Sequence, residues 1–282
     1  MNEPLIDGEV AKGAAAVFAR YRREDSPKPE RWNETLEILL SHRSHRNFLA
    51  QKLPEGALET IVAAAQSAST SSNLQVWSVV AVEDQERKNR LAELAGGQQH
   101  VRDCAVFLVW LSDLARLDAL AKLNGREALG LSYLELFLTG AVDAALAAQN
   151  AVVALESLDL GSVYIGAMRN HPEQVAKELN LPPNAFAVFG MAVGFPDPAV
   201  PTGVKPRLGQ GAVLHREQYR WGEAQLDAIQ TLDAKFKDFQ KEQGLPEQGW
   251  VRQVLSRVRG PDAMSGRHRL REALEALGVG LK

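Results

Sequence analysis

A single cysteine, Cys104, stands in 282 residues. That excludes a disulfide framework and any cysteine-rich metal site, since both need several thiols at set spacings. An excess of either charge is also missing: 32 Lys and Arg stand against 35 Asp and Glu. A general nucleic-acid binder would carry a basic surplus to neutralise phosphates, so no nucleic-acid partner is expected. No apolar run opens the chain, because Asp7, Glu9, Lys12 and Arg20 break up its beginning. A secretory signal needs an apolar stretch there, so none is expected and a reducing cytoplasm is the expected location. Nucleotide and hydrolase signatures are absent too. No G-x-G-x-x-G follows a strand pattern, and there is no Walker A loop, no H-E-x-x-H and no G-x-S-x-G elbow. His42 and His45 form an H-x-x-H pair, but Arg43 and Arg46 interleave them and would repel a cation. An anion-binding turn suits these residues better than a metal site, and no metal is expected.

What is present is the composition of an ordinary globular chain, 45% apolar and 24% charged. That much apolar matter offsets chain entropy and suits one large domain or one domain with an appendage. The longest apolar stretch, residues 131–158, is interrupted by Glu135, Asp143, Gln149, Asn150 and Glu156. A spanning helix wants about 20 predominantly apolar residues, so no membrane partner is expected. The stretch reads as a core helix, buried against several elements or a second subunit.

The punctuation of the chain suggests three segments. Residues 1–30 read as a helical appendage ending in a charged cluster, with Ser26-Pro-Lys-Pro29 as a break. A core follows over 31–220, and a helical segment over 221–282. Within the core, Asn33 can cap a helix that stops near His42. Pro54 suits the first turn of a helix running to about Ala68. Strands are expected at Val76–Val82, Cys104–Leu111, Ser162–Ile165 and Ala185–Val193. The second of these, CAVFLVWL, should be buried on both faces. A charged helix over about 84–95 ends at Gly96-Gly97, and residues 195–211, with four prolines, form a loop. About four strands with helices in excess, not spaced as βαβ units, make an α+β pattern. Cys104 at the start of an apolar strand reads as a small hydrophobe and not as a nucleophile.

Three clusters carry chemistry when taken together: His42-Arg-Ser-His-Arg46, the loop Ser69-Thr-Ser-Ser-Asn-Leu-Gln75, and Lys205-Pro-Arg207. Arginine forks, a lysine point charge and serine hydroxyls are what a phosphorylated ligand needs. These clusters, with GGQQH at 96–100 and AAQNAVVALESLDLGSVYIG at 147–166, occur in the order and spacing of a known family. The chain resembles the nitroreductase family of FMN-dependent oxidoreductases. It looks most like the branch of NADPH-preferring, oxygen-insensitive nitroreductases and FMN reductases. The resemblance covers about residues 33–220, with a weaker match beyond.

The resemblance implies a nitroreductase-like fold: a central, mainly antiparallel sheet of about four strands, surrounded by helices, in a homodimer whose FMN sites lie at the subunit interface. It implies that His42, Arg43, Ser44, Lys205 and Arg207 surround the FMN phosphate. Arg46 would reach the pyrimidine side of the flavin and stabilise its reduced form electrostatically. Ser69, Ser71, Asn73 and Gln75 would line the flavin from the serine-rich loop, and Gln98 would bond the ring or ribityl chain. Tyr164, Ile165 and Gly166 would lie along the ring near N5, with backbone N–H groups as donors. No protein acid or base is required, because the flavin carries the hydride. Two departures from the family pattern bear on substrate stacking: Asn73 stands where an aromatic residue is frequent, and Ala167 where a second glycine is.

NADPH needs a further anion site. Residues 250–282 hold seven Lys and Arg against three acids, and the resemblance points to this segment for the NADPH or substrate site. Arg267 is the leading candidate, against a solvated helix face for each of these arginines. The implied activity is ping-pong transfer from NADPH to FMN and then to a nitroaromatic, quinone or flavin acceptor. The alternatives are a flavin reductase that supplies free reduced flavin, a non-catalytic flavin redox sensor, and a cofactor-free helical interaction module.

Overall fold

A computed structural model describes residues 7–282. The chain begins with helices α1 (Asp7–Tyr21), α2 (Glu34–Ser41) and α3 (Ala57–Gln66), followed by strand β1 (Trp77–Val82). Helices α4 (Gln85–Leu94) and α5 (Gln99–Asp103) lead to strand β2 (Val106–Asp113). Helices α6 (Ala115–Leu123) and α7 (Leu134–Ser157) precede strand β3 (Gly161–Ile165). Then come helix α8 (Pro172–Glu178), strand β4 (Ala185–Gly194), and helices α9 (Glu223–Glu242), α10 (Gly249–Arg257) and α11 (Leu270–Ala276).

The four strands make one antiparallel sheet in the order β1-β2-β4-β3. As expected of a continuous apolar run, β2 is central, and Val106 through Ser112 are all buried. Side chains alternate across a strand, so its residues divide between two layers. Leu108 and Trp110 join Ile61 and Ala65 of α3 and Ala144, Ala147, Ala148 and Ala151 of α7 in one cluster. Phe107, Val109 and Leu111 join Leu91 and Ala92 of α4, Val101 of α5 and Val175 of α8 in the other. Helices therefore cover both faces. Gly190 on β4 lies against the Phe107 ring so closely that a Cβ would enter it. The strand begins two residues later than expected, because Cys104 and Ala105 form the exit from α5.

The 131–158 stretch starts as a short 3-10 turn, Leu129–Ser132, and continues as α7. By length and composition α7 is apolar enough to cross a membrane. In this fold one side, including Asp143, Ala147, Val152 and Leu155, is buried. Its other side carries an exposed row, Leu134, Leu138, Val142 and Leu146.

Several local expectations find their physical reason here. The Asn33 side chain accepts the Leu36 N–H at 2.9 Å and caps α2. Pro54 lies before the helix and not in its first turn: Gly56 takes a left-handed φ of 77°, outside the right-handed helical range, so α3 starts at Ala57. Gly96 and Gly97 are both left-handed, at 82° and 77°, and stop the α4 path. Helix α6 is absent from the sequence reading.

By its internal packing the chain forms two compact units, neither contiguous in sequence. One joins the amino-terminal segment through Arg43 to Pro201–Ala263. Its core includes Leu232, Phe236 and Phe239 of α9, with Leu208 and Trp250. Arg22 pairs with Glu242 at 2.7 Å and Arg23 with Asp227 at 3.0 Å, fastening the end of α1 to α9. The other unit holds Ser44–Val200 and Met264–Lys282, where Leu274 and Val279 pack with Phe186. The three consecutive segments suggested by sequence punctuation are thus shared between these units. The helix expected over residues 1–25 includes residues 1–6, which lie outside the described residues.

Candidate active site

Arg20, near the end of α1, is only 7% exposed. Its guanidinium donates to the carbonyls of Leu40 at 2.7 Å, His42 at 2.9 Å and Lys205 at 3.1 Å. The Arg207 N–H donates back to the Arg20 carbonyl at 2.9 Å. One buried arginine therefore joins the end of α2 to the proline-rich loop, and holds the backbones of His42 and Lys205 on a single fork. Arg207 reaches solvent along part of its length, but desolvation of its head lowers its pKa below the ordinary arginine value. Its side-chain hydrogen bonds go to the carbonyls of Lys205 and Pro206, at 3.2 and 3.4 Å. A partly desolvated guanidinium served by carbonyls gains from an anion.

Ser44, His45 and Arg46 lie beside β3 in the other unit. The His45 N–H donates to the Ser162 carbonyl at 2.9 Å. Gly161 allows this approach, since a Cβ there would come within 2.8 Å of the His45 ring and 2.7 Å of Pro196. Arg46 is exposed. Burial lowers the pKa of His100, and the Arg46 charge adds to the effect. The His100 Nε2 atom is itself buried without a hydrogen-bond partner. The Gln98 amide donates to the Ala95 carbonyl at 2.8 Å, so its nitrogen is committed to closing the Gly96-Gly97 turn.

At the end of β3, Tyr164 packs edge-on against Phe189 at 5.2 Å, and desolvation raises its phenol pKa. Ile165 is 2% exposed, so it can offer a ligand its backbone and not its side chain. Gly166 opens a 3-10 turn that ends at Arg169. A Cβ on Gly166 would lie 3.3 Å from Arg169 Nη2 and 3.8 Å from Arg267 Nη1, so two guanidinium groups converge on this glycine. Arg169 donates to the Val188 carbonyl. Burial first, and the Arg267 charge second, hold its pKa below the usual arginine value. Arg267 Nε donates to the Met264 carbonyl at 2.9 Å.

Ser69, Ser71, Asn73 and Gln75 are exposed on the loop that enters β1. The sheet order puts β1 and β3 on opposite edges. Three strand spacings separate them, about 14 Å. Within one chain, then, the fold does not bring the serine-rich loop to Tyr164–Gly166.

The nitroreductase family model matches residues 39–195, and the family's C-terminal domain model matches residues 205–282. The chain belongs to the nitroreductase family. It is 44% identical over 201 residues to the NADPH-flavin oxidoreductase of Vibrio harveyi, covering 71% of this chain and 80% of that one. It is 39% identical over 228 residues to the FMN reductase (NADPH) of Bacillus subtilis, covering 79% and 91%. Among solved structures, NADPH:FMN oxidoreductase from Vibrio harveyi complexed with NAD+ superposes with a TM-score of 0.78 at 36% identity, over 89% of this chain and all of that one. The fold is the α+β nitroreductase fold, with the expected antiparallel sheet.

In this nitroreductase-family chain the sequence singled out neither Arg20 nor Arg169. Arg20 sits among RYRRE and reads as one more surface charge. Arg169 follows the GSVYIG motif by three residues, and a cation so close to a glycine at a strand end was the available signal. Among the described residues, no group of three or more His, Cys, Asp or Glu could hold a metal ion.

Proposed function

We propose that this nitroreductase-family protein is an FMN-dependent NADPH oxidoreductase that works as a homodimer and reduces a nitroaromatic, quinone or free flavin. The observation that carries the reading is the Arg20-organised basic cluster. It gathers His42 and the Lys205–Arg207 loop, and Arg207 has backbone carbonyls as its side-chain partners. That donor set fits a phosphate monoester, which accepts several charge-assisted hydrogen bonds at once. FMN reductase (NADPH) and NADPH-flavin oxidoreductase relatives support the choice of FMN and NADPH.

In this reading His42, Arg43, Ser44, Lys205 and Arg207 hold the phosphate. Arg46, two residues after Ser44, would hold its charge on the pyrimidine side of the flavin and so favour reduction. The backbone of Tyr164–Gly166 lies along the ring, and Gln98 bonds the ring or ribityl chain through its carbonyl. Arg267 takes an anionic group of the nicotinamide cofactor or substrate. When bound, FMN would supply the hydride and electron transfer between NADPH and the second substrate. Proton donation is left to solvent.

The second copy has two supports. The exposed row Leu134, Leu138, Val142 and Leu146 repeats every four residues and forms a packing ridge on α7. Apolar patches of this kind mark interfaces. The separation of β1 from β3 gives the partner a role as well: its Ser69–Gln75 loop lines the flavin held by this chain.

The test is the visible spectrum of the purified protein after FMN addition, followed by anaerobic bleaching with NADPH and, separately, NADH. Flavin bands bleached much faster by NADPH are expected. A protein that takes up no FMN overturns the reading.

A further inference from the structure

The Ser69–Gln75 loop has an unusual backbone. Ser72, Asn73 and Gln75 all adopt left-handed conformations, with φ of 50°, 54° and 52°. None is a glycine, and such a run persists only where its surroundings over-determine it. Two elements do so here. Asp143, in the middle of α7, is 1% exposed. Its Oδ1 accepts the Ser71 N–H at 3.1 Å and its Oδ2 the Val76 N–H at 3.4 Å. One carboxylate thus grips both ends of the strained run. On the outer side, Arg116 of α6 donates to the Gln75 carbonyl at 2.9 Å, to Ser78 Oγ at 2.8 Å and to the Trp77 carbonyl at 3.3 Å.

Gly140, three residues before Asp143, lets α7 lie close both to β2 and to the end of this loop. A Cβ at position 140 would overlap the Ser112 side chain on β2 and stand 3.0 Å from the Val76 carbonyl oxygen. A side chain there would push α7 away and draw the Asp143 carboxylate off its two N–H donors. The choice of aspartate follows from the same geometry. An ionised carboxylate has two acceptor oxygens, whereas an asparagine has one acceptor and one donor. Only the carboxylate can receive N–H groups on both sides. Among the described residues, Asp143 is in no ion pair, so its polar bonding is directed at the loop.

We propose that Asp143, with Arg116 as its outer brace, is a positioning residue of the flavin site: it holds the 71–76 backbone in the single form that presents Ser71, Asn73 and Gln75 to the flavin. The proposal rests on the FMN reading above. Asp143 touches no substrate or cofactor in it and acts through the loop.

The experiment compares full-length wild type, Asp143→Asn and Arg116→Ala. Amide hydrogen exchange of the 70–78 segment is measured without flavin, and the FMN dissociation constant by fluorescence titration. For Asp143→Asn, exchange in this segment should rise at least tenfold while that of β2 and β4 stays unchanged, and FMN should bind at least tenfold more weakly. A merely structural role would instead raise exchange throughout the sheet. Wild-type exchange in the loop, or a loosened loop with wild-type FMN affinity, overturns the proposal. If Asp143→Asn does not fold, Arg116→Ala decides: its side chain is 54% exposed, so the fold tolerates the change. A loop that exchanges faster and binds FMN severalfold more weakly supports the proposal, and no change in either overturns it. Wild type that binds no FMN overturns the flavin reading itself, and the exchange comparison then reports on the clamp separately.

Discussion

Arg207 and Cys104 show how desolvation gives opposite meanings to polar side chains. Desolvation of the Arg207 head raises the value of an anion beside it. Arg207→Ala should therefore lose FMN on purification, read as a lower flavin-to-protein absorbance ratio. Flavin content equal to wild type would remove Arg207 from the phosphate site. Cys104 is 1% exposed, and burial pushes its thiol up to about 11. The thiolate is the reactive form and is scarce well below that pH. Native protein at pH 8 should leave Ellman's reagent unconsumed over minutes, and one thiol should react on unfolding in denaturant. Rapid reaction of the native protein would contradict the buried, inert assignment. The chemistry of the motifs at 42–46 and 69–75, basic in one and hydroxyl-rich in the other, was legible in the sequence. The roles of Arg20, Arg169 and Asp143 were not, because a charged residue becomes structural only through distant partners. Arg20 finds its partners at Leu40, His42 and Lys205, and no local pattern encodes such pairings.

At the scale of elements, the sheet was readable because its strands are apolar runs bounded by turn residues. The β2 run is the clearest case, since burial on both faces leaves no polar interruptions. Helix α6 was missed because its sequence, ARLDALAKL, is short and has no buried residue. The start of α3 was misplaced because Pro54 is compatible with a first turn, while the conformation of Gly56 decides the boundary. Close approach between layers depends on small residues at particular crossings. Gly190 is one: the Phe107 ring occupies the place a Cβ would need. Overpacking of this kind costs about 1–3 kcal/mol. Gly190→Ala should therefore lower stability by about that amount in urea unfolding. A wild-type midpoint would mean that the ring moves aside freely.

For the whole molecule, the sheet order sets the Ser69–Gln75 loop and Tyr164–Gly166 on opposite edges. In the proposed dimer, two copies related by symmetry would each lend this loop to the other. Leu138→Glu combined with Leu146→Glu should put like charges into the α7 ridge on both sides of the interface. The expected product is a folded monomer by sedimentation that retains little FMN. A dimer with full flavin would place the interface elsewhere, and a monomer with full flavin would mean that one chain completes the site.

Composition, spacing and motif order were enough to establish the α+β class, the strand positions, the inert cysteine and the family resemblance. These follow from local periodicity and from residue types whose chemistry is the same wherever they lie. Packing alone revealed which charges are buried, that Arg169 and Arg267 converge on Gly166, and that a carboxylate on α7 grips a strained loop. It also grouped the amino-terminal helix with residues 201–263. Burial and hydrogen bonding across long sequence separations depend on three-dimensional proximity, and the linear order of residues does not carry that information.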